Sequence, residues 1–170
     1  MFVLGIDPGL SRCGYGAVLS GASGLSARAI GVIRTAPADP LPQRLAELQQ
    51  ELRALLAELR PDVVAVERIF FQNNVRTAMS VGQASGLAMA EAVAAGCEVV
   101  QYSPNEVKLA VTGDGAADKQ QVQMMVQRLL GLAAPPRPAD AADAAALALC
   151  HLAHAPARAR IAAASSGARS

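Results

Sequence analysis

A chain of 170 residues with a formal net charge of +1 is long enough for one domain with its own core, and its 52% hydrophobic and 17% charged residues are those of a globular protein. The charge is too close to zero to mark a nucleic-acid binder, so any basic surface has to be local. No apolar run reaches the roughly 20 residues that span a bilayer, and MFVLGIDPG opens the chain without the basic start of a secretion signal, which points to a cytoplasmic protein with no membrane partner. Cys13, Cys97 and Cys150 are odd in number and lack ligand spacing, which argues against a disulfide framework or a zinc site.

Residues 2–7 form an apolar run ending in Asp7, and Pro8-Gly9 and the stretch Gly14 to Leu19 continue it as strand, turn, strand. A third strand from Leu25 to Arg34 follows with no helix between, which predicts an antiparallel meander. Leu41, Leu45, Leu48, Leu52, Leu55, Leu56 and Leu59 recur at helical spacing until Pro61. The Val-rich run of residues 61–67 reads as a strand buried on both faces, and it also ends in a carboxylate, Glu67. A second helix is predicted from Asn74 to Ala95, a fifth strand over residues 97–102, and a short helix capped by Ser103 through Lys108. Residues 111–118 read as a loop, Lys119 to Leu130 as a helix, and Ala139 to about His154 as the last helix, with a frayed tail beyond Pro156. The result is an α/β domain over residues 1–155, a mixed five-stranded sheet of three antiparallel and then parallel strands flanked by helices, with a flexible tail over 156–170.

Asp7 and Glu67 each end an apolar strand, at the sheet edge where α/β proteins place their ligands. Asp140 and Asp143, three apart, share one face at the start of the last helix, close to the positive end of its dipole. Each has a plain alternative, a turn before Pro-Gly for Asp7 and helix capping for the helix pair, whereas Glu67 has no capping task. Four carboxylates together suit the hard cations Mg²⁺ or Mn²⁺, and two such ions can activate water and steady the leaving oxygen of a phosphodiester. Lys108 and Lys119 are the only lysines in a chain whose other cations are all Arg.

The stretches LGIDPGLSRCGYG, PDVVAVERIFFQNN, SVGQASG, PNEVKLAVTGDGAADKQQVQ and PADAADAAALALCH, in this order, resemble the RuvC family of Holliday junction resolvases within the RNase H-like superfamily, over residues 2–154. The resemblance implies that Asp7, Glu67, Asp140 and Asp143 hold two Mg²⁺ or Mn²⁺ ions per subunit at the cleaved phosphate, with Lys108 and Lys119 beside them. It also implies that Phe70 stacks on or wedges between bases at the junction, and Phe71 is read as core. Asn73, Asn74 and Arg76 are candidates for base or phosphate contacts, and Arg12 and Arg68 for the backbone. By the same resemblance the chain is a homodimer that cuts two like-polarity strands of a four-way DNA junction in recombination and repair, alongside the branch-migration proteins RuvA and RuvB. The helix from Ser80 to Ala95 is the candidate dimer seam. Asp114 adds an acidic residue near Lys119, and His151 and His154 read as ordinary helix residues. Three rivals remain: a nuclease of RNA/DNA hybrids, an actin-like phosphotransferase, and a junction-binding module without activity.

Overall fold

The computed structural model describes the backbone of residues 1–68 and 75–167 and the side chains of residues 1–68 and 78–157. Strands β1 (Phe2–Asp7), β2 (Arg12–Gly21) and β3 (Gly24–Arg34) form the antiparallel meander, and β4 (Val63–Glu67) and β5 (Glu98–Tyr102) add in parallel on the other side of β1. The spatial order is β3-β2-β1-β4-β5, the mixed sheet expected from the strand pattern. Helices α1 (Leu41–Leu59), α2 (Val75–Ala94), α3 (Pro104–Thr112), α4 (Lys119–Leu129) and α5 (Ala139–Gly167) complete the chain. Among the described residues no helix is long and apolar enough to cross a membrane.

The alternation of a strand sends successive side chains to opposite faces, and here both faces are covered. Leu4, Ile6, Val64 and Val66 pack under α1 and α2 with Leu48, Leu52, Leu56, Ala84, Ala88 and Ala92. Val3, Val63, Ala65 and Val100 point the other way, onto Val107, Val111, Val122, Val126 and the buried run of α5. Each fully buried Leu or Val contributes roughly 1.5 to 3 kcal/mol of apolar burial. The parity matters for the site: Asp7 continues the Val3 and Gly5 face, and Glu67 the Val63 and Ala65 face, so both strand-end carboxylates turn toward α5.

Helix α5 is buried almost all round from Ala141 to Cys150 because its side chains are mostly methyl groups. It lies directly on three glycines of the sheet. A methyl group at Gly5 would collide with the carbonyl oxygen of Ala144, one at Gly14 with the carbonyl oxygen of Asp140, and one at Gly16 with the backbone of Ala145. Gly5 pairs with Gly16, and Gly14 pairs with Asp7, so the bare strip runs across β1 and β2 and ends at the first carboxylate.

Two helix ends differ from the sequence reading. Helix α3 runs past Lys108 to Thr112, where Gly113 at φ 78° closes it, so the following loop begins at Gly113 rather than Val111. Helix α5 continues past His154 to Gly167, with Pro156 inside it, because a proline removes one helical hydrogen bond while the flanking Ala and Arg residues are strong helix formers. The Ser103 cap is present as a full capping box with Glu106, and Asp118 and Gln121 form a second one that starts α4 and fixes where Lys119 leaves the helix.

Gly5→Ala should lower stability by about 2 kcal/mol or more, because the added methyl must push backbone away. Gly21→Ala, at the β2–β3 turn with nothing within 4 Å of the new carbon, should change it by less than about 0.5 kcal/mol. Urea denaturation midpoints check both, and equal midpoints would mean that α5 is not seated on the glycine strip.

Candidate active site

Ile6 and Val66 pair across adjacent parallel strands, so the next residues, Asp7 and Glu67, emerge side by side at the carboxyl edge of the sheet. The first turn of α5 brings Asp140 and Asp143 over the same edge, with the backbone of Asp140 pressed on Gly14, opposite Asp7. The four carboxylates predicted from three separate segments therefore stand in one cluster. The effect of this crowding is visible in the acidity of the two strand carboxylates. Burial, then the charges of Glu67, Asp143 and Asp140, push the Asp7 carboxyl up to about 7, against a smaller opposing pull from Lys119. Burial and Asp143 also raise Glu67, and Lys119 again opposes them.

Two cations brace the helix carboxylates. The Lys119 ammonium lies 2.6 Å from Asp143, and that hydrogen bond, with the charges of Asp143, Asp7 and Asp140, holds the ammonium above its ordinary value. The Arg12 guanidinium sits 3.4 Å from Asp140. Among the described residues no group of three or more His, Cys, Asp or Glu side chains is placed so that it could hold an ion. The donor set nevertheless fits a divalent cation, being all hard oxygen, partly buried, and so crowded that Asp7 keeps its proton to near neutrality.

Two clefts flank the cluster. One, of about 280 Å³, is walled by Glu67, Asp143, Lys108 and Lys119 over an apolar floor that includes Val107 and Val122. The other, of about 360 Å³, runs from Asp7 and Asp140 along the Pro8 to Arg12 turn to Arg44 on α1. A larger cleft of about 550 Å³ lies at the far ends of α1 and α2, beside Arg60, Pro61 and Cys97, and holds no part of the carboxylate cluster.

Lys108, Lys119 and Arg12 thus reach the site. Arg68 follows Glu67 but turns its guanidinium to the carbonyl of Gln101, 3.3 Å away. Phe70, Phe71, Asn73 and Asn74, and the side chain of Arg76, lie outside the described residues. Asp114 caps its own loop, accepting from the amide of Ala116. His151 is buried with Nδ1 2.9 Å from the Tyr102 hydroxyl, and His154 stacks on the Tyr102 ring, so both tie α5 to β5. Sequence reasoning passed over Arg44, whose position carries no motif, and the glycines under α5, whose signal was Gly at alternate positions inside strand patterns.

Comparison with known proteins bears on this geometry. Residues 3–151 match the family described as crossover junction endodeoxyribonuclease RuvC. The protein of that name from Salinispora arenicola is 57% identical over 171 residues, covering 99% of this chain and 97% of the relative. The Thermus thermophilus RuvC structure superposes with a TM-score of 0.85 at 38% identity, covering 92% of this chain and 96% of that one. The T. thermophilus RuvC in complex with Holliday junction substrate also gives 0.85, at 39% identity, covering 91% and 94%. With its mixed RNase H-like sheet and a match that spans nearly its whole length, this chain belongs to the RuvC family of crossover junction endodeoxyribonucleases.

Proposed function

We propose that this chain resolves four-way DNA junctions by metal-dependent hydrolysis of one phosphodiester in each of two like-polarity strands. The observation that carries the reading is the convergence of Asp7, Glu67, Asp140 and Asp143 from β1, β4 and α5 on one sheet edge, with Lys119 against Asp143. Mg²⁺ or Mn²⁺, two ions per subunit, held by these four carboxylates would supply a water acidified toward neutrality and positive charge for the leaving oxygen. The chain's own groups do the rest. Asp7 must release its proton for the cluster to ligate, and the low-dielectric setting that holds this proton also strengthens each charge interaction made there. Lys119 and Lys108, both on the wall of the smaller cleft, offer ammonium groups to the nonbridging oxygens of the scissile phosphate, where charge builds up.

The roles given to Phe70, Asn73, Asn74 and Arg76 as wedge and strand contacts rest on the sequence, as does the role of Arg68. Work on chromosomal DNA in the cytoplasm with RuvA and RuvB follows from the family resemblance. The homodimer has support of its own. Opposite the buried Ala84, Ala88 and Ala92, helix α2 exposes Met79, Gly86, Ala90 and Val93 at heptad-like spacing, an apolar stripe of small residues with Met79 61% and Val93 64% exposed. A two-fold pairing of this stripe would present two equivalent sites to a two-fold junction.

Two outcomes are expected. Wild type with a labelled four-way junction should give paired nicks in Mg²⁺ or Mn²⁺ and none in EDTA, while linear duplex and an RNA/DNA hybrid stay intact; Asp7→Asn should bind the junction and leave it uncut. Cutting of the hybrid alone, or binding without cutting in either metal, would sink the reading. Because the fold holds the Asp7 proton up to about 7 against an ordinary 3.8, the metal-free chain should lose stability as pH rises through that window. Asp7→Asn should remove most of this loss, stabilising the chain at pH 8 in EDTA by on the order of 2 kcal/mol in thermal melts. Separately, Val93→Glu should turn the dimer into a monomer by sedimentation and replace paired nicks by slow single ones; an unchanged sedimentation coefficient would place the seam elsewhere.

A further inference from the structure

The carboxylate cluster has a cationic cleft on each side, and only the Lys108 and Lys119 cleft has a task in the chemistry so far. The other shares Asp7 and Asp140 with the cluster and extends to Arg44. Arg44 leaves the first turn of α1 and is fastened to the loop that follows Asp7. Its Nε donates to the Thr35 hydroxyl at 3.0 Å and its Nη2 to the Ser11 hydroxyl at 2.6 Å, while Thr35 in turn donates to the carbonyl of Leu10. Both acceptors of the guanidinium are uncharged, and among the described residues no carboxylate lies within ion-pairing distance of it. Arg53, on the same helix, shows the contrast, since two of its donors go to the carboxylate of Glu91.

An unneutralised guanidinium at this place is not explained by helix stability. A cation in the opening turn of a helix faces the positive end of the dipole, which costs about 0.3 to 1 kcal/mol. Clamping the turn would need donors but no charge. What the place does offer is a fixed positive charge in an open cleft, with no hydrogen bond from Nη1 among the described residues, next to a second guanidinium. Arg12 holds Asp140 only at 3.4 Å and is 55% exposed, the kind of surface pair that contributes little and exchanges partners readily.

We propose that Arg44 and Arg12, with the Ser11 hydroxyl, form a subsite for a backbone phosphate of the cut strand, on the side of the carboxylate cluster opposite Lys108 and Lys119. Arg44, immobilised by Thr35 and Ser11, sets the position of the phosphate. Arg12 swings to it from Asp140 when that carboxylate is engaged at the scissile position. The strand then crosses the carboxylates anchored on both sides, which aligns the bond between them. The proposal rests on the junction-cutting function above.

The test is the salt dependence of junction affinity, measured with the full chain in EDTA. Each phosphate neutralised by a cation adds about 0.9 to the slope of log affinity against log salt. Arg44→Gln, which removes one contact from each protomer of the dimer, should lower the slope by about two and weaken binding severalfold at low salt. Thr35→Val, which breaks the clamp but keeps the charge, should retain the slope of the unaltered chain. A wild-type slope in Arg44→Gln, or an equal fall in Thr35→Val, overturns the subsite while leaving cutting by the unaltered chain to support the general function. Absence of junction binding by the unaltered chain overturns both. A second measurement needs no substitution: the Arg44 Nε–H resonance of the unaltered chain should shift on adding a short-armed junction, and an unmoved resonance overturns the subsite even if Arg44→Gln does not fold.

Discussion

The contact on which the rest depends is the seating of α5 on the glycines of β1 and β2. A helix packed on ordinary strand side chains stands about 10 Å from the sheet, too far for its short carboxylates to join those of the strands. Removing the side chains of Gly5, Gly14 and Gly16, and reducing those of α5 to methyls, brings backbone to backbone. Asp and Glu then meet without long side chains, and short side chains lose little entropy when held in place. The same closeness leaves nothing to adjust. Close-packed interiors resist compression, so one methyl on the strip acts on the position of Asp140 directly.

That closeness has an electrostatic cost, and the structure shows where it falls. Burial and the neighbouring acids raise the two strand carboxylates, Asp7 and Glu67, and the burden settles on Asp7, which keeps its proton to about 7. Lys119 and Arg12 offset part of this by standing against Asp143 and Asp140. Each also lines one of the two clefts beside the cluster. If the proposed function holds, these two cations would exchange a carboxylate for a phosphate oxygen on binding, which would offset part of that electrostatic cost.

Much of this was legible in the sequence, for identifiable reasons. Apolar runs that end in a single carboxylate need no tertiary information, and the parity of Val63, Ala65 and Glu67 fixes which face the charge takes. The i, i+3 spacing of Asp140 and Asp143 is equally local. The limits of α3 and α5 were not legible, because Thr112 and Pro156 both sit in stretches where one hydrogen bond decides between helix and loop. The glycines were visible, but their purpose depends on a pairing, Gly5 with Gly16 and Asp7 with Gly14, that exists only once β1 and β2 are in register. Arg44 was illegible for a stronger reason: its meaning lies in Thr35 and Ser11, neither of them near it in sequence.

The two faces of the sheet divide the work, and Arg44 is where they meet. The α5 face carries the carboxylates and both lysines, while the α1 and α2 face carries the larger leucines and the exposed apolar stripe. A buried sheet transmits position well but transmits charge poorly, since the residues through the middle of β1 and β4 are apolar. Only at the carboxyl edge, where the strands end, can a side chain from the α1 layer reach the chemistry. Arg44 does so by gripping the turn between β1 and β2 rather than any carboxylate. A change in how α1 and α2 are held, such as the pairing of two copies along α2, would therefore reach the active site through the loop from Pro8 to Arg12. That loop carries Arg12 and begins one residue after Asp7, so the layer suited to assembly and the layer suited to cutting share one short segment of backbone.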